Sequence, residues 1–135
     1  MTGGVWLSER PIEMRVLQLL LATGLAVMAQ TPNYAPRPAD DALARGRAFV
    51  DSTDIKDRAL RVTGNTPTPC HQLRINVPAK PDASGALAIE VYSVSERGQI
   101  CAQVLKPFTA TVALSDAQAQ AKITVNGKAA GLPAQ

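Results

Sequence analysis

The sequence is poor in the residue types that most often carry chemistry. Its 135 residues include two cysteines, one histidine and five aromatic residues. A structural zinc site of the cysteine and histidine type needs four ligands, and the chain supplies at most three. Gly64, Gly85, Gly98, Gly127 and Gly131 are isolated, and neither GxGxxG nor GxxxxGK[ST] occurs, which argues against a nucleotide cofactor.

The sequence also lacks a cluster of charge of one sign. Fourteen basic and eleven acidic residues give a net charge of +3, and they are scattered along the chain without a basic run of five or more. Binding of the nucleic-acid backbone or of an anionic membrane surface requires a concentrated basic surface. We therefore predict no nucleic-acid partner and no polybasic membrane anchor.

An N-terminal segment has the composition of a secretory signal. Met14 to Ala29 reads MRVLQLLLATGLAVMA, with one arginine before a largely apolar run and with Val27 and Ala29 at the small-residue positions of a cleavage site. The fourteen residues from Val16 to Ala29 are too few to span a bilayer. We predict a signal peptide over residues 1–29, with Met14 as an alternative start and residues 1–13 upstream of it.

The predicted export determines where the mature chain resides and how its cysteines pair. No cysteine near residue 29 can accept a lipid, so we predict a periplasmic or secreted protein without a stable membrane anchor after signal cleavage. In an oxidising compartment two cysteines permit one intramolecular pair, Cys70–Cys101. This bridge would matter because the mature chain has few aromatic side chains to build a core.

Residues 30–47 differ in composition from the rest of the mature chain. Pro32, Pro36 and Pro38 disfavour both helices and strand ladders, and we predict an extended or disordered leader whose end could form one or two helical turns. The remaining residues, 48–135, have the size of one small domain.

Alternation of apolar and polar residues predicts that this domain is built from strands. In 70–77, Leu73, Ile75 and Val77 share one face, and 86–94 repeats the pattern, so the two should form a hairpin. Asn126-Gly127 is a strong hairpin signal. The predicted strands cover 48–55, 59–63, 70–77, 86–94, two strands within 100–114 that meet at a bend near Pro107, 121–125 and a short return over 128–132; residues 115–120 form a helical turn. Within 100–114 the alternation, interrupted near Lys106-Pro107, places seven apolar residues on one face: Ile100, Ala102, Val104, Phe108, Ala110, Val112 and Leu114.

Several segments together resemble a set of small secreted bacterial proteins with an immunoglobulin-like β-sandwich. They are PTPCHQLRINV, IEVYSV, ICAQVLKPFTATVAL and ITVNGK, and the resemblance covers residues 64–128. Its most specific elements are Pro69-Cys70, Cys101 with Gln103, Pro107-Phe108 and Val125-Asn126-Gly127. The resemblance implies an all-β, antiparallel, immunoglobulin-like sandwich of about six or seven strands and an export route, and it implies no reaction. The mature chain lacks the tryptophan that packs on the disulfide of true immunoglobulin domains.

No constellation of residues predicts catalysis. His71 would have to activate one of Ser52, Ser84, Ser93, Ser95 or Ser115, and none of these stands in a GxSxG elbow. Asp40 and Asp41 lie in the leader. Tyr92, Gln103 and Lys106 are interpreted as polar residues of an outer surface. We predict no catalytic, cofactor-binding or metal-binding residue and no enzymatic activity.

These observations favour a non-enzymatic, exported interaction or structural module of the cell envelope. It would contact an envelope protein or a glycan through its loops or a sheet edge. One alternative is a small protease inhibitor that presents the proline-restrained loops 64–69 or 78–85. A further alternative is a carrier of a small ligand or a metal.

Overall fold

The computed structural model describes residues 33–131. The predicted signal peptide, residues 1–29, lies outside the described residues, as do residues 30–32 of the predicted leader and residues 132–135. The described elements are a 3-10 helix (Pro38–Ala42), β1 (Ala44–Arg47), β2 (Phe49–Lys56), β3 (Ala59–Thr66), β4 (Gln72–Asn76), β5 (Ala86–Ser95), β6 (Lys106–Ala113), α1 (Asp116–Ala119), β7 (Lys122–Val125) and β8 (Lys128–Ala129).

The strands form two sheets. The first has the order β2-β3-β6 and is antiparallel throughout. In the second, β5 is central: β4 pairs with it on one side, β1 and β7 pair with successive halves of its other side, and β8 pairs with β7. The β5–β7 pair is parallel. Among the described strands the other pairs are antiparallel, as predicted, and the β5–β7 pair is the exception.

The core lies between the two sheets. Leu60, Val62 and Ala110 come from the first sheet, and they form one buried cluster with residues of the second. The second sheet contributes Ile75, Leu87, Ile89, Val91, Ile123 and Val125. Buried positions alternate along β3 and β5, which is the pattern of strands with one face on a core and one toward solvent. The predicted all-β sandwich with a Cys70–Cys101 disulfide is confirmed.

One side chain continues the second sheet where its backbone pairing is interrupted. β7 ends at Val125 opposite Ile89, and β1 begins to pair only at Tyr92, so Val91 lies in the gap between them. The Asn126 amide fills it: Val91 N–H donates to Asn126 Oδ1 at 2.8 Å, and Asn126 Nδ2 donates to Val91 O at 2.9 Å. Asn126 has a φ of 50°, a left-handed conformation that asparagine tolerates better than most residues.

Two predicted boundaries are wrong. Residues 44–47, placed in the leader, form β1 against β5. Their sequence, Ala-Arg-Gly-Arg, has no apolar alternation that would predict a strand. Gly46 approaches β5 so closely that a Cβ there would lie 3.0 Å from Ser93 Oγ. Residues 100–105 form no strand, and β6 begins only at Lys106.

The remaining local predictions agree with the structure. β4 and β5 form the expected antiparallel pair, and Asn126-Gly127 joins β7 to β8. The predicted helical turn is α1, whose first turn is capped by the Ser115 hydroxyl, which accepts from Gln118 N–H at 3.2 Å. Within residues 33–131, no helix has the length and hydropathy to cross a membrane.

Candidate binding surface

The loop that joins β5 to β6, residues 96–105, exposes three large aliphatic side chains. Ile100 is 97% exposed, Val104 60% and Leu105 56%. Single exposed apolar residues are ordinary, but several in one short segment are typical of a contact surface for another molecule. We call residues 99–105 the apolar loop.

A disulfide fixes this loop to the body of the domain. Cys101 is bonded to Cys70, with the two Cα atoms 6.2 Å apart. Cys70 lies in a turn after β3 that is held by hydrogen bonds of two buried threonines. Thr66 Oγ1 donates to Thr68 O at 3.1 Å, and Cys70 N–H donates to Thr68 Oγ1 at 3.2 Å. The middle of the apolar loop is therefore anchored to an ordered turn.

His71 belongs to the same turn. Its backbone N–H donates to Thr68 O at 3.2 Å, and its ring Nδ1 is hydrogen-bonded to Thr68 Oγ1 at 2.7 Å. The ring lies against β1, since a Cβ on Gly46 would be 3.2 Å from two ring atoms. A catalytic histidine is usually oriented by a carboxylate, whereas the Nδ1 atom of His71 has a hydroxyl as its partner.

The serines considered as nucleophiles are used in the fold. Ser93 Oγ and the His71 ring both lie close to Gly46, but the Ser93 hydroxyl is buried and donates to Arg47 O at 2.6 Å. Three others have local partners: Ser52 with Thr63, Ser84 with Asp82, and Ser115 with Gln118. Ser95 lies in β5 opposite Ala44. Across residues 33–131, no three His, Cys, Asp or Glu side chains are placed to hold a metal ion.

Among the ion pairs of residues 33–131, the one with the least exposed side chains joins the 3-10 helix to β4. The Arg74 side chain is 4% exposed and meets Asp40, 13% exposed, through Nε at 2.9 Å and Nη2 at 3.1 Å. The hydrogen bonds from Arg74, and then the one from the Arg37 backbone N–H, hold the pKa of Asp40 below its usual value. Arg74 also donates to Leu73 O at 3.0 Å. The pair therefore fastens residues predicted as leader to the sheet.

The three polar residues assigned to an outer surface do not form one site. The Arg45 guanidinium lies 3.8 Å above the centroid of the Tyr92 ring on the second sheet and pairs with Glu90 at 2.8 Å. Lys106 begins β6 in the first sheet. Gln103 stays within the apolar loop, where its side chain donates to Cys101 O at 3.4 Å.

The two loops proposed for a protease inhibitor differ in exposure. Residues 64–66 belong to β3, and the side chains of Thr66 and Thr68 are buried, so 64–69 is not a protruding loop. Residues 79, 80 and 82–85 are exposed. Asp82 Oδ1 accepts hydrogen bonds from the Ser84 hydroxyl, Ser84 N–H and Ala86 N–H. These bonds lower the pKa of Asp82, and the bond from the Ser84 hydroxyl has the largest effect. Loop 78–85 is thus ordered but polar.

The sequence patterns missed the apolar loop because its residues alternate like a strand. In that interpretation Ile100 and Val104 share a strand face with Phe108, whereas the structure exposes both of them, together with Leu105. The signal that could have found the loop is Cys101, because its disulfide partner Cys70 lies in a distant turn. Pro107 gives no such signal, since it lies within β6 opposite Asn65.

The two packed sheets, the single core between them and the disulfide define the chain as a β-sandwich protein. It belongs to the family of the ORF11 beta-sandwich domain, whose family model matches residues 60–132. The match runs from β3 past β8 and includes both cysteines and the apolar loop. Comparison with curated proteins and with solved structures finds no match.

Proposed function

We propose that this protein is a non-enzymatic, exported interaction module of the cell envelope whose contact surface is the apolar loop. The observation that carries the proposal is the exposure of Ile100, Val104 and Leu105 on a segment fixed by a disulfide. Export is proposed from the signal-like residues 1–29 and from the disulfide, since such bonds persist in oxidising compartments. The mature protein would be periplasmic or secreted.

The chemistry of the loop favours a protein partner over a glycan. Residues 99–105 contain no charged and no aromatic side chain, and apart from Gln99 and Gln103 their large side chains are aliphatic. Burying one such aliphatic side chain contributes about 1.5–3 kcal/mol, so three provide a useful part of a binding free energy. A partner with an apolar groove would gain this contribution, whereas a glycan offers mainly hydroxyl groups to pair with.

The disulfide supports binding through the entropy of the loop. Ordering a flexible segment on association costs free energy, and a segment that is already held loses less. Cys101 lies between Ile100 and Val104, so the covalent anchor restricts the apolar side chains on both sides of it.

The test is a comparison of two triple variants as baits in envelope extracts, with chemical crosslinking. The first is Ile100→Ser, Val104→Ser and Leu105→Ser; the matched control is Ala79→Ser, Ala83→Ser and Ala88→Ser, which are also exposed. We expect both to unfold at the wild-type urea concentration, and only the first to lose the crosslinked partner. Equal retention of the partner by both variants would contradict the proposal.

A protease inhibitor is the second candidate, and it is favoured by one observation. Ile100 is almost fully exposed and directly precedes the disulfide-bonded Cys101, which presents a restrained aliphatic side chain to a protease. The purified protein should then inhibit proteases that prefer aliphatic residues, and Ile100→Asp should abolish the inhibition. Absence of inhibition across a protease panel would count against this candidate. No observation on residues 33–131 favours the carrier alternative.

A further inference from the structure

β6 forms one edge of the first sheet, and its outer side is unoccupied by any strand of residues 33–131. From Pro107 to Ala113 the strand carries no charged residue. Thr109, Thr111 and Ala113 are exposed on one face, while Ala110 is buried and Phe108 and Val112 are half-buried on the other. Unpaired N–H and C=O groups along such an edge are a template for pairing with another strand.

The other described edges carry devices that discourage strand pairing. β2 has a bulge between Val50 and Ser52 and bears Asp51, Asp54 and Lys56. The outer edge of β4 is partly covered, since Ile75 N–H donates to Tyr34 O at 2.8 Å. β8 is two residues long, and β1, at the other end of the second sheet, has four residues and bears Arg45 and Arg47. Charges, bulges, short strands and covering segments are the usual means of protecting an edge, and β6 has none of them after Pro107.

The ends of the described chain lie away from β6. Gly131 N–H donates to Thr53 Oγ1 at 2.9 Å, which places the C-terminal end beside β2, at the opposite edge of the same sheet. The N-terminal end, at Tyr34, lies beside β4 in the second sheet. Neither described end lies along β6.

We propose that β6 pairs with β6 of a second copy of this chain, antiparallel and around a two-fold axis at Ala110. In this register Thr109 of one copy faces Thr111 of the other, Phe108 faces Val112, and Ala110 faces its counterpart. Lys106 faces Leu114, so no like charges meet. The two first sheets become one continuous six-stranded sheet, with threonine pairs on the exposed face and an apolar row on the core face. This interface does not depend on the function proposed for the apolar loop.

The two-fold register allows a test by charge placement. In Thr109→Lys/Thr111→Lys every new lysine faces another lysine, whereas in Thr109→Lys/Thr111→Glu every lysine faces a glutamate at the same positions. Ala88→Lys, on an exposed position of the central β5, is the matched control for an added charge in a strand. Circular dichroism verifies that each variant is folded, and sedimentation of the purified protein over a range of concentrations gives the mass.

We expect the wild type, Ala88→Lys and the lysine–glutamate variant to reach twice the monomer mass. The double-lysine variant should dissociate at least about tenfold more readily. A wild type that stays monomeric up to its solubility limit would overturn the proposal and indicate that another occupant covers β6. A double-lysine variant that dimerises like the wild type, or a lysine–glutamate variant as weak as the double-lysine one, would also overturn it.

Discussion

Replacing Asn126 tests whether its side chain holds the second sheet together. In Asn126→Gly the N–H and C=O groups of buried Val91 lose their partners at 2.8 and 2.9 Å. Each unpaired buried group costs about 1–3 kcal/mol, and because water can enter the space left by the amide we expect a loss of about 2–4 kcal/mol. Glycine is the chosen replacement because it adopts a φ of 50° without steric strain. The measured change in the free energy of unfolding then contains no term from backbone strain.

The isosteric change Asn126→Asp separates the two hydrogen bonds. The carboxylate introduced at position 126 can still accept from Val91 N–H. Its second oxygen, in place of the amide nitrogen, would lie against Val91 O, and two acceptors cannot form a hydrogen bond, so Asn126→Asp should be destabilised at neutral pH. A protonated carboxyl donates to Val91 O, which raises the pKa of the new carboxyl in the folded state. The free energy of unfolding of Asn126→Asp should therefore be closest to that of the wild type below the unfolded-state pKa of the new carboxyl. It should fall further behind as pH rises through the folded-state pKa of that carboxyl.

Urea unfolding followed by circular dichroism measures both effects. A change in midpoint at constant slope reports a change in the free energy of unfolding. If Asn126→Gly unfolds within about 0.5 kcal/mol of wild type, as substitutions at indifferent surface sites do, the role assigned to Asn126 is wrong.

Three further predictions concern the disulfide, a close strand contact and a buried ion pair. Replacing Cys70 and Cys101 by serine should lower the free energy of unfolding by about 3.7 kcal/mol in the chain-entropy model for a separation of 31 residues, and equal urea midpoints with and without reductant in the wild type would contradict this. Gly64→Ala places a Cβ in steric overlap with the Phe49 backbone oxygen of β2, so it should destabilise by about 1–3 kcal/mol in the same assay; an unchanged midpoint would contradict this close packing of the two strands. The Arg74 hydrogen bonds lower the pKa of Asp40, so this ion pair stabilises the folded protein above the unfolded-state pKa, and the stabilisation is lost as pH falls through the folded-state pKa. In Asp40→Asn the free energy of unfolding should therefore depend less on pH below the ordinary value of 3.8. The same pH dependence in variant and wild type would contradict this coupling.

Strands with one apolar face could be predicted from the sequence. Leu87, Ile89 and Val91 alternate with polar or small residues because β5 has one face on the core, and the same holds for β4. The hairpin at Asn126-Gly127 could also be predicted, because asparagine and glycine tolerate the positive φ values that both residues adopt in this turn.

Features that depend on long-range contacts could not be predicted. β1 has no apolar pattern, and only its pairing with the distant β5 identifies it as a strand. The parallel pairing of β7 with β5 likewise leaves no trace in local sequence. The second role of Asn126, in bonding Val91, likewise depends on a residue 35 positions away.

The candidate binding surface was predicted only in part. The Cys70–Cys101 bridge followed from the cysteine count, since two cysteines allow one pair. The exposure of Ile100, Val104 and Leu105 could not be predicted from the sequence. An apolar segment of this kind has the same sequence pattern whether it pairs as a strand in a sheet or forms an exposed loop held by a disulfide.

The most direct test of the central claim places a photo-crosslinking amino acid at position 100 in the cell that produces the protein. Position 84, in the ordered and exposed polar loop, is the control site. The apolar loop is predicted to be the contact surface, so irradiation should give a discrete crosslinked partner from position 100 and none from position 84. No adduct at position 100, or the same adducts at both positions, would contradict the claim.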